Sequence, residues 1–458
     1  MTYLGNTPTT QSFISGTDYF NGTGSQTAFT LSRTVASIND IQVTVNNVVQ
    51  QPNDAYTISG TTLTMTSAPS AGTNNVYVRY LSTTTQAITP SQNTVSWNTL
   101  DSNIQQDLGI SYKNRIINGA MQIDQRNAGA ALTVNAASDF YAVDRFSGYG
   151  QATDGVYTLQ QSTVAPAGFI NSLLATVTTA DASVGASQYY FLTQRIEGLN
   201  VADLGFGTAS AKTVTLSFWV RSSLTGTFGG SIANSAFNRS YPFSYTISSV
   251  DTWEQKSITV PGDTTGTWLT TNGIGLRVYW DFGSGSDNVA AAGSWVGAGE
   301  VGVTGGTKLI STLGATFYIT GVQLEVGTQA TTFTTAGGSY GAELVLCQRY
   351  YEKSYSINTV PGTNTSVGQY LERATAQAAG FSGSNILYVV QKRAAPTATF
   401  YRANGTVGDW DYNRNGASGT VSVALDDAGT YQGRINMNTG SAWAATEIFG
   451  QYVLSAEL

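Results

Sequence analysis

Histidine is absent from the 458-residue chain. No Ser-His-Asp or Cys-His dyad, no HExxH motif and no imidazole metal site can therefore be built. The usual general base near neutral pH and the usual switch between pH 5 and 8 are missing as well. Any catalysis is left to carboxylates. Cysteine occurs once, at Cys347, which excludes an internal disulfide framework. Stability outside a cell would then come from large β-domains or from oligomerisation. Charge is scarce too, at 11% of residues against about 25% in an average soluble domain. The net charge is −7, the pI is near 4.7, and no Lys/Arg cluster occurs. A phosphate backbone needs a basic footprint, so no nucleic-acid partner is expected. No run approaches about 18 apolar residues, and MTYLGNTPTT has neither a basic nor an apolar signal region, so neither membrane insertion nor secretory export is expected.

What the chain does have is glycine, at 50 residues, and aromatics, at 11%. That aromatic content excludes the disordered class. Thr, Val and Tyr suit a pleated surface, while Gly and Asn supply turn backbone with positive φ. The fold class is all-β. With about 150 residues per domain, the length suggests roughly three domains.

Residues 1–85 read as a small antiparallel sandwich. Ile41, Val43 and Val45 of IQVTVNN share one strand face, and Asn46-Asn47 suits a tight hairpin. Gly60 does the same in TISG-TTLTM. The expected core is Ile38, Ile41, Val43, Val45, Tyr56, Ile58, Leu63 and Tyr77. Residues 86–114 are a polar linker in which Leu100, Ile104 and Leu108 recur at i, i+4, i+8, with Asn98 to cap and Gly109 to stop. Two readings stay open: a loop with one helical turn, or a short coiled-coil neck of a trimer.

Residues 115–336 carry many strands at spacings that fit a two-sheet sandwich. In TVTLSFWV, Val214, Leu216, Phe218 and Val220 fall on one face. RIINGAMQI and FYITGVQLEVG are expected to pair as neighbouring strands. Residues 337–353 read as a helical connector, with Leu344, Cys347 and Tyr351 as its stripe, Glu343 early in it and Cys347 a buried core residue. Residues 354–458 return to strands, with hairpin tips at 402–405 and 426–429. No fixed period recurs, which argues against a β-helix.

Two blocks carry a resemblance. The segment DIQVTVNNVVQQPNDAYTISGTTLTMTSAPSAGTNNVYVRYL resembles the N-terminal virion-anchoring domain of tailed-bacteriophage tail fibres. RIINGAMQI, TVTLSFWVRSS, VDTWEQKSITVPGDTTGTW, FYITGVQLEVGTQATTF and SYGAELVLCQRYYEKS, in that order, resemble a module of phage tail proteins that is similar to carbohydrate-binding-module jelly rolls. YVLSAEL is similar to tail-fibre C-termini. The resemblance implies an N-terminal β-sandwich anchor, a short neck, a jelly roll and a small C-terminal β-tip. It implies a virion protein, a homotrimer held to a tail or adaptor protein by residues 1–85 and recognising a host polysaccharide or lipopolysaccharide. Such jelly rolls often place an acidic residue of a calcium site in the last strand. Thr320 and Gly321 stand there instead, so no metal or other cofactor is carried over.

Sugar rings stack on Trp and Tyr, and their hydroxyls need polar partners. RVYWDFGSGSDN offers Arg277, Tyr279, Trp280, Asp281 and Asn288, and GSWVG adds Trp295. Alternation sets Tyr279 and Asp281 on one face and Trp280 on the other. Trp280 and Trp295 are therefore candidates either for packing or for stacking on a glycan, whereas Trp219 and Trp253 read as packing. GDWDYNRN supplies Trp410, Asp411, Tyr412 and Arg414, joined by Trp443, as the expected contact at the tip. A glycosidase would need two carboxylates flanking a sugar. Asp281 with Asp287, or Asp409 with Asp411, are the pairs on offer, but Asp in Gly-rich turns serves the turn itself. The expectation is a non-enzymatic fibre; the alternatives are a glycan depolymerase spike or a connector that binds no receptor.

Overall fold

The computed structural model describes residues 16–81, 113–374, 381–414, 416–438 and 446–458. The chain divides into two compact units, Met1–Leu100 and Asp101–Leu458. The neck stripe Leu100, Ile104 and Leu108, like Trp443, lies outside the described residues.

The first unit is the expected antiparallel sandwich. Its strands are β1 (Thr17–Gly22), β2 (Ala28–Thr30), β3 (Ile41–Val45), β4 (Val48–Val49), β5 (Tyr56–Ser59), β6 (Thr62–Met65) and β7 (Gly72–Tyr80). They form a sheet in the order β1-β7-β3-β4 and a second in the order β2-β6-β5. Asn46 and Asn47 sit at φ 48° and 66°, the left-handed backbone that a two-residue hairpin requires. Ile41, Val43, Tyr56 and Leu63 are buried with Val76 and Val78. Tyr77 is a correction: between those two valines it points to the other face, where its ring lies 5.9 Å from that of Tyr19.

The second unit opens with β8 (Leu132–Val134), β9 (Phe140–Val143), β10 (Phe146–Gly150), β11 (Val156–Ser162), β12 (Ser172–Thr179), β13 (Tyr189–Glu197) and β14 (Val214–Ser222). It continues with β15 (Gly226–Ala233), β16 (Ser240–Ile247), β17 (Glu254–Val260), β18 (Ile274–Ser284), β19 (Val289–Ala290), β20 (Gly302–Val303) and β21 (Thr316–Val326). One six-stranded sheet runs β16-β15-β18-β13-β10-β9, the other β17-β14-β21-β12-β11-β8. Their facing sides enclose the core, which includes Val214, Leu216, Phe218 and Val220 as alternation requires.

RIINGAMQI is not a strand. It runs as irregular backbone beside the second half of β21, where Arg115 N–H donates to Leu324 O at 2.9 Å and Val322 N–H to Gly119 O at 2.9 Å. β12 pairs only with the first half of β21, from Thr316 to Ile319, so this segment satisfies the rest of that edge. Thr320 is buried and its hydroxyl donates to Asn171 O at 2.7 Å. Gly321 has φ 61°, and a Cβ there would lie 2.6 Å from Phe169.

α1 (Tyr340–Gln348) is the single α-helix among the described residues, and the Ser339 hydroxyl caps it by accepting from Ala342 N–H. Cys347 is fully buried, and burial pushes its thiol well above the ordinary range. Glu343 is buried too, accepting from the backbone N–H groups of Asn118 and Gly337. Tyr351 belongs not to the helix but to β22 (Tyr351–Lys353). The terminal sheet adds β23 (Tyr370–Ala374), β24 (Phe381–Leu387), β25 (Thr397–Tyr401), β26 (Trp410–Arg414), β27 (Ala417–Asp426), β28 (Gln432–Asn438) and β29 (Thr446–Ser455). Its path is β22-β29-β26-β27-β28-β24, with β23 and β25 also paired to β29.

Candidate functional site

Strand register decides which aromatics leave the core. On β18, Leu276, Val278, Trp280 and Phe282 face the other sheet, which puts Arg277, Tyr279 and Asp281 on the outward face. Across the ladder, Tyr279 is paired with Thr193 and Ser231, and Phe191 with Asp281. Phe191 is paired in turn with Tyr149. Residues far apart in sequence thus meet on the outward face of the sheet that runs from β16 to β9.

There the rings of Tyr149, Tyr189 and Phe191 form a near-parallel group. Tyr149 and Phe191 are 5.3 Å apart at 5°, Tyr149 and Tyr189 5.8 Å at 18°, and Tyr189 and Phe191 5.7 Å at 13°. Tyr279 stands edge-on to Phe191 at 4.8 Å, with Phe237 5.6 Å beyond it. Phe191 and Tyr279 are buried, whereas Tyr149 and Tyr189 are half-buried and present ring surface to solvent. Polar groups border them. The Tyr149 hydroxyl meets Gln151 Oε1 at 3.2 Å, and Arg277 Nη1 donates to the Tyr279 hydroxyl at 3.2 Å. Arg277 also holds Ser235 O at 3.0 Å, while its Nε is buried without a partner. Burial and the neighbouring Tyr149 raise the pKa of the Tyr189 hydroxyl, keeping it a neutral donor.

Both flanks of this face are closed by other backbone. Val301 packs on Phe191 and Tyr279, and Gly302 lies against the Asp281 carboxylate. On the other flank Arg195 pairs with Asp139 through two bonds of 2.7 and 2.8 Å and donates to Leu458 O. The result is a bounded patch with flat apolar surface in its centre and hydrogen-bonding groups around it. That arrangement suits the C–H faces and hydroxyls of a saccharide.

The tryptophans and the tip residues expected from sequence fall elsewhere. Trp280 is fully buried, packed edge-on against Phe218 at 5.9 Å, so the packing reading holds for it. Trp295 is half-buried in a separate cluster, edge-on to Phe206, Trp268 and Tyr241 at 5.3 to 5.8 Å, with its indole N–H on Pro261 O at 2.7 Å. Trp410 is a correction, because it too is fully buried. Its indole stacks on Tyr370 at 5.4 Å, meets Phe400 edge-on at 5.5 Å and donates to Gln451 O at 3.1 Å. A Cβ on Gly450 would fall 2.0 Å from that ring, so glycine in this region makes room for a buried indole rather than an exposed loop. Asp411 is bound to Arg402 at 2.7 Å and to Ala403 N–H at 2.8 Å, while Tyr412 is half-buried against the terminal core and Arg414 lies on the same strand.

The carboxylates named for catalysis are also engaged or apart. Burial raises the Asp281 carboxyl to about 6 despite bonds from Ser284 Oγ and Gly283 N–H at 2.8 and 2.9 Å. Asp287 is exposed in a turn, and Asp409 is exposed just before β26. Sequence reasoning reached Arg277 and Tyr279 but missed Tyr149 and Tyr189. Only pairing across β10, β13 and β18 assembles them, although two adjacent tyrosines in SQYYFL, one of which must face outward, were a usable signal.

No family model matches the sequence, and no curated protein matches it. Among solved structures, the enzymatically active domain of tailspike protein 4 of bacteriophage CBA120 is 14% identical, covering 47% of this chain and 22% of that one, at a TM-score of 0.26. The chain thus spans under a quarter of the length of that tailspike domain. The family 11 carbohydrate-binding module of the Clostridium thermocellum cellulase Lic26A-Cel5E is 12% identical over 43% of this chain and 98% of its own, at 0.23. TmCBM61, solved with β-1,4-galactotriose, is 8% identical over 40% and 88%, at 0.21. Scores this low leave any functional reading to rest on the chain's own geometry.

Proposed function

We propose that this chain is a non-enzymatic receptor-binding protein of a tailed-phage virion that holds a host polysaccharide or lipopolysaccharide on the outward face of β10, β13 and β18. The observation that carries the glycan reading is the near-parallel group of Tyr149, Tyr189 and Phe191, two of them half-exposed, beside Arg277 and Gln151. The virion assignment, the tail or adaptor partner of residues 1–85 and the homotrimer rest on the sequence resemblance. Weak sugar contacts would then be multiplied by avidity across three chains. A non-catalytic role is favoured by Asp281 and Asp411, each already held by neighbours of its own.

The test is adsorption of the full chain to host cells, and to polysaccharide extracted from them, with Tyr149→Ala and Tyr189→Ala made singly and together. Each ring is worth about 1.4 kcal/mol of stacking, or about tenfold in affinity. The two rings stack on each other at 5.8 Å, so their losses do not simply add, and the double variant should lose between about tenfold and about a hundredfold while still unfolding cooperatively. Equal adsorption by wild type and double variant would overturn the assignment of this face.

A further inference from the structure

We propose that Thr331 and Gln323 are the reacting partners of an intramolecular ester cross-link that closes the exit from the sandwich. The motif is QLEVGTQAT. Gln323 and Glu325 are two apart on β21 and so share its outward face, while Val322 and Leu324 enter the core. After Val326 the chain turns back and lays Thr331 over both side chains. Gln323 and Glu325 are buried, at 0% and 1% exposed.

The groups that an acyl transfer uses converge here. The Thr331 hydroxyl donates to Glu325 Oε2 at 2.8 Å, which makes Thr331 the nucleophile and Glu325 its base. The Gln323 amide N–H donates to the same oxygen, Thr331 Oγ1, at 3.3 Å, which holds the hydroxyl beside the amide. The second carboxylate oxygen, Glu325 Oε1, accepts from that amide nitrogen at 2.8 Å. The amide carbonyl oxygen receives Thr334 N–H at 2.9 Å and faces the Thr334 hydroxyl at 3.4 Å, donors placed where negative charge would develop. Lys113 Nζ, 3.3 Å from Glu325 Oε2, balances the buried carboxylate and also contacts the Thr331 hydroxyl.

In the step, Thr331 Oγ1 forms a bond to Gln323 Cδ and gives its proton to Glu325. The Cδ–Nε2 bond breaks, and Glu325 passes the proton to the departing nitrogen, which leaves as ammonia. Glu325 ends as it began, so no co-reactant is consumed. Burial of Gln323 and Glu325 keeps water from the ester once formed. The bond would also change how the chain bears load. Tension entering from residue 332 would pass to Gln323, which is paired with Ser217 inside the sheet, instead of peeling β21 from Val326.

The test is the mass of the tryptic fragment from Leu309 to Arg349, taken from purified full-length chain. The expected mass is that of the sequence less one ammonia, and hydroxylamine applied to the unfolded chain should open the ester to a Gln323 hydroxamate. Thr331→Val and Glu325→Gln should restore the full mass, and Thr331→Ser should keep the deficit. A wild-type fragment at full mass would overturn the proposal. So would a deficit that survives in Thr331→Val.

Discussion

Replacing Glu457 by Gln probes how the terminal sheet is fastened to the sandwich. The Glu457 carboxylate contacts Arg126 Nη2 and Arg145 Nη1. The Arg145 side chain is 2% exposed and its guanidinium lies 3.6 Å over the Tyr350 ring, so its charge cannot turn to water. Removing one member of a buried pair leaves the other charge uncompensated, at a cost of about 3–5 kcal/mol. Two features place the variant at the low end of that range. Arg126 keeps Asp144 at 3.4 Å, and Arg145 keeps a bond of 2.7 Å to Arg195 O. A loss of about 3 kcal/mol corresponds to a drop of about 1 M in urea midpoint for a slope near 3 kcal/mol/M.

The same variant has a signature in pH. Burial raises the Asp144 carboxyl from 3.8 to about 6, opposed by Arg126 and assisted by the negative Glu457. A raised carboxyl binds its proton more tightly in the folded state, so stability falls as pH climbs from about 4 to about 6. Glu457→Gln removes the assisting charge, and that slope should become shallower. Urea unfolding at pH 4.5 and pH 7, followed by tryptophan fluorescence, measures both effects. A midpoint equal to wild type at pH 7 would refute the account of the fastening.

Asp281→Asn keeps an acceptor for Ser284 and Gly283 but removes a carboxyl raised by burial to about 6. The wild-type penalty grows between pH 4 and 6 to about 3 kcal/mol at most. The variant should therefore unfold at higher urea than wild type above pH 6, and equal midpoints there would count against a buried, titrating Asp281. Gly321→Ala places a side chain at φ 61° and 2.6 Å from Phe169. Left-handed backbone costs about 1–2 kcal/mol for an L-residue, so calorimetry should show a drop of about 2–6 °C in Tm, and an unchanged Tm would refute the required glycine.

Sequence carried what is local. Alternation in TVTLSFWV, the Asn46-Asn47 hairpin and the buried Cys347 each depend on a few neighbours, and each is found as expected. Pairing between distant segments was legible only in part: RIINGAMQI does lie beside β21, but not as a strand. RIINGAMQI has strand composition, yet Asn118 and Met121 adopt φ 61° and 56°, which breaks the strand and lets its backbone serve β21 irregularly. Tyr149 and Tyr189 are 40 residues apart, and nothing short of the β10–β13 register joins them. Trp410 misled because a glycine-rich context reads as an exposed turn when the glycine is far away in sequence, at Gly450, and makes space for the ring.

The way the last residues are held also decides how recognition must be mapped. Deleting everything after residue 340 would seem to separate a tip from the sandwich. The Glu197 side chain, however, is 0% exposed, and its partners are Arg349, through bonds of 2.6 and 2.8 Å, and the Tyr350 hydroxyl at 2.7 Å. Burial alone would raise this carboxyl, but those bonds outweigh it and hold the pKa below the ordinary value. Deletion would leave Glu197 buried without Arg349 and Tyr350 and would strip Glu457 from Arg126 and Arg145, at a cost of several kcal/mol. It would also remove Leu458 from Arg195, on the same sheet face as Tyr149 and Tyr189. Loss of binding in such a truncation would follow even if the terminal sheet touched no receptor. Substitutions confined to the half-exposed tyrosines leave every one of these buried pairs intact, so they separate recognition from fastening where a deletion merges the two.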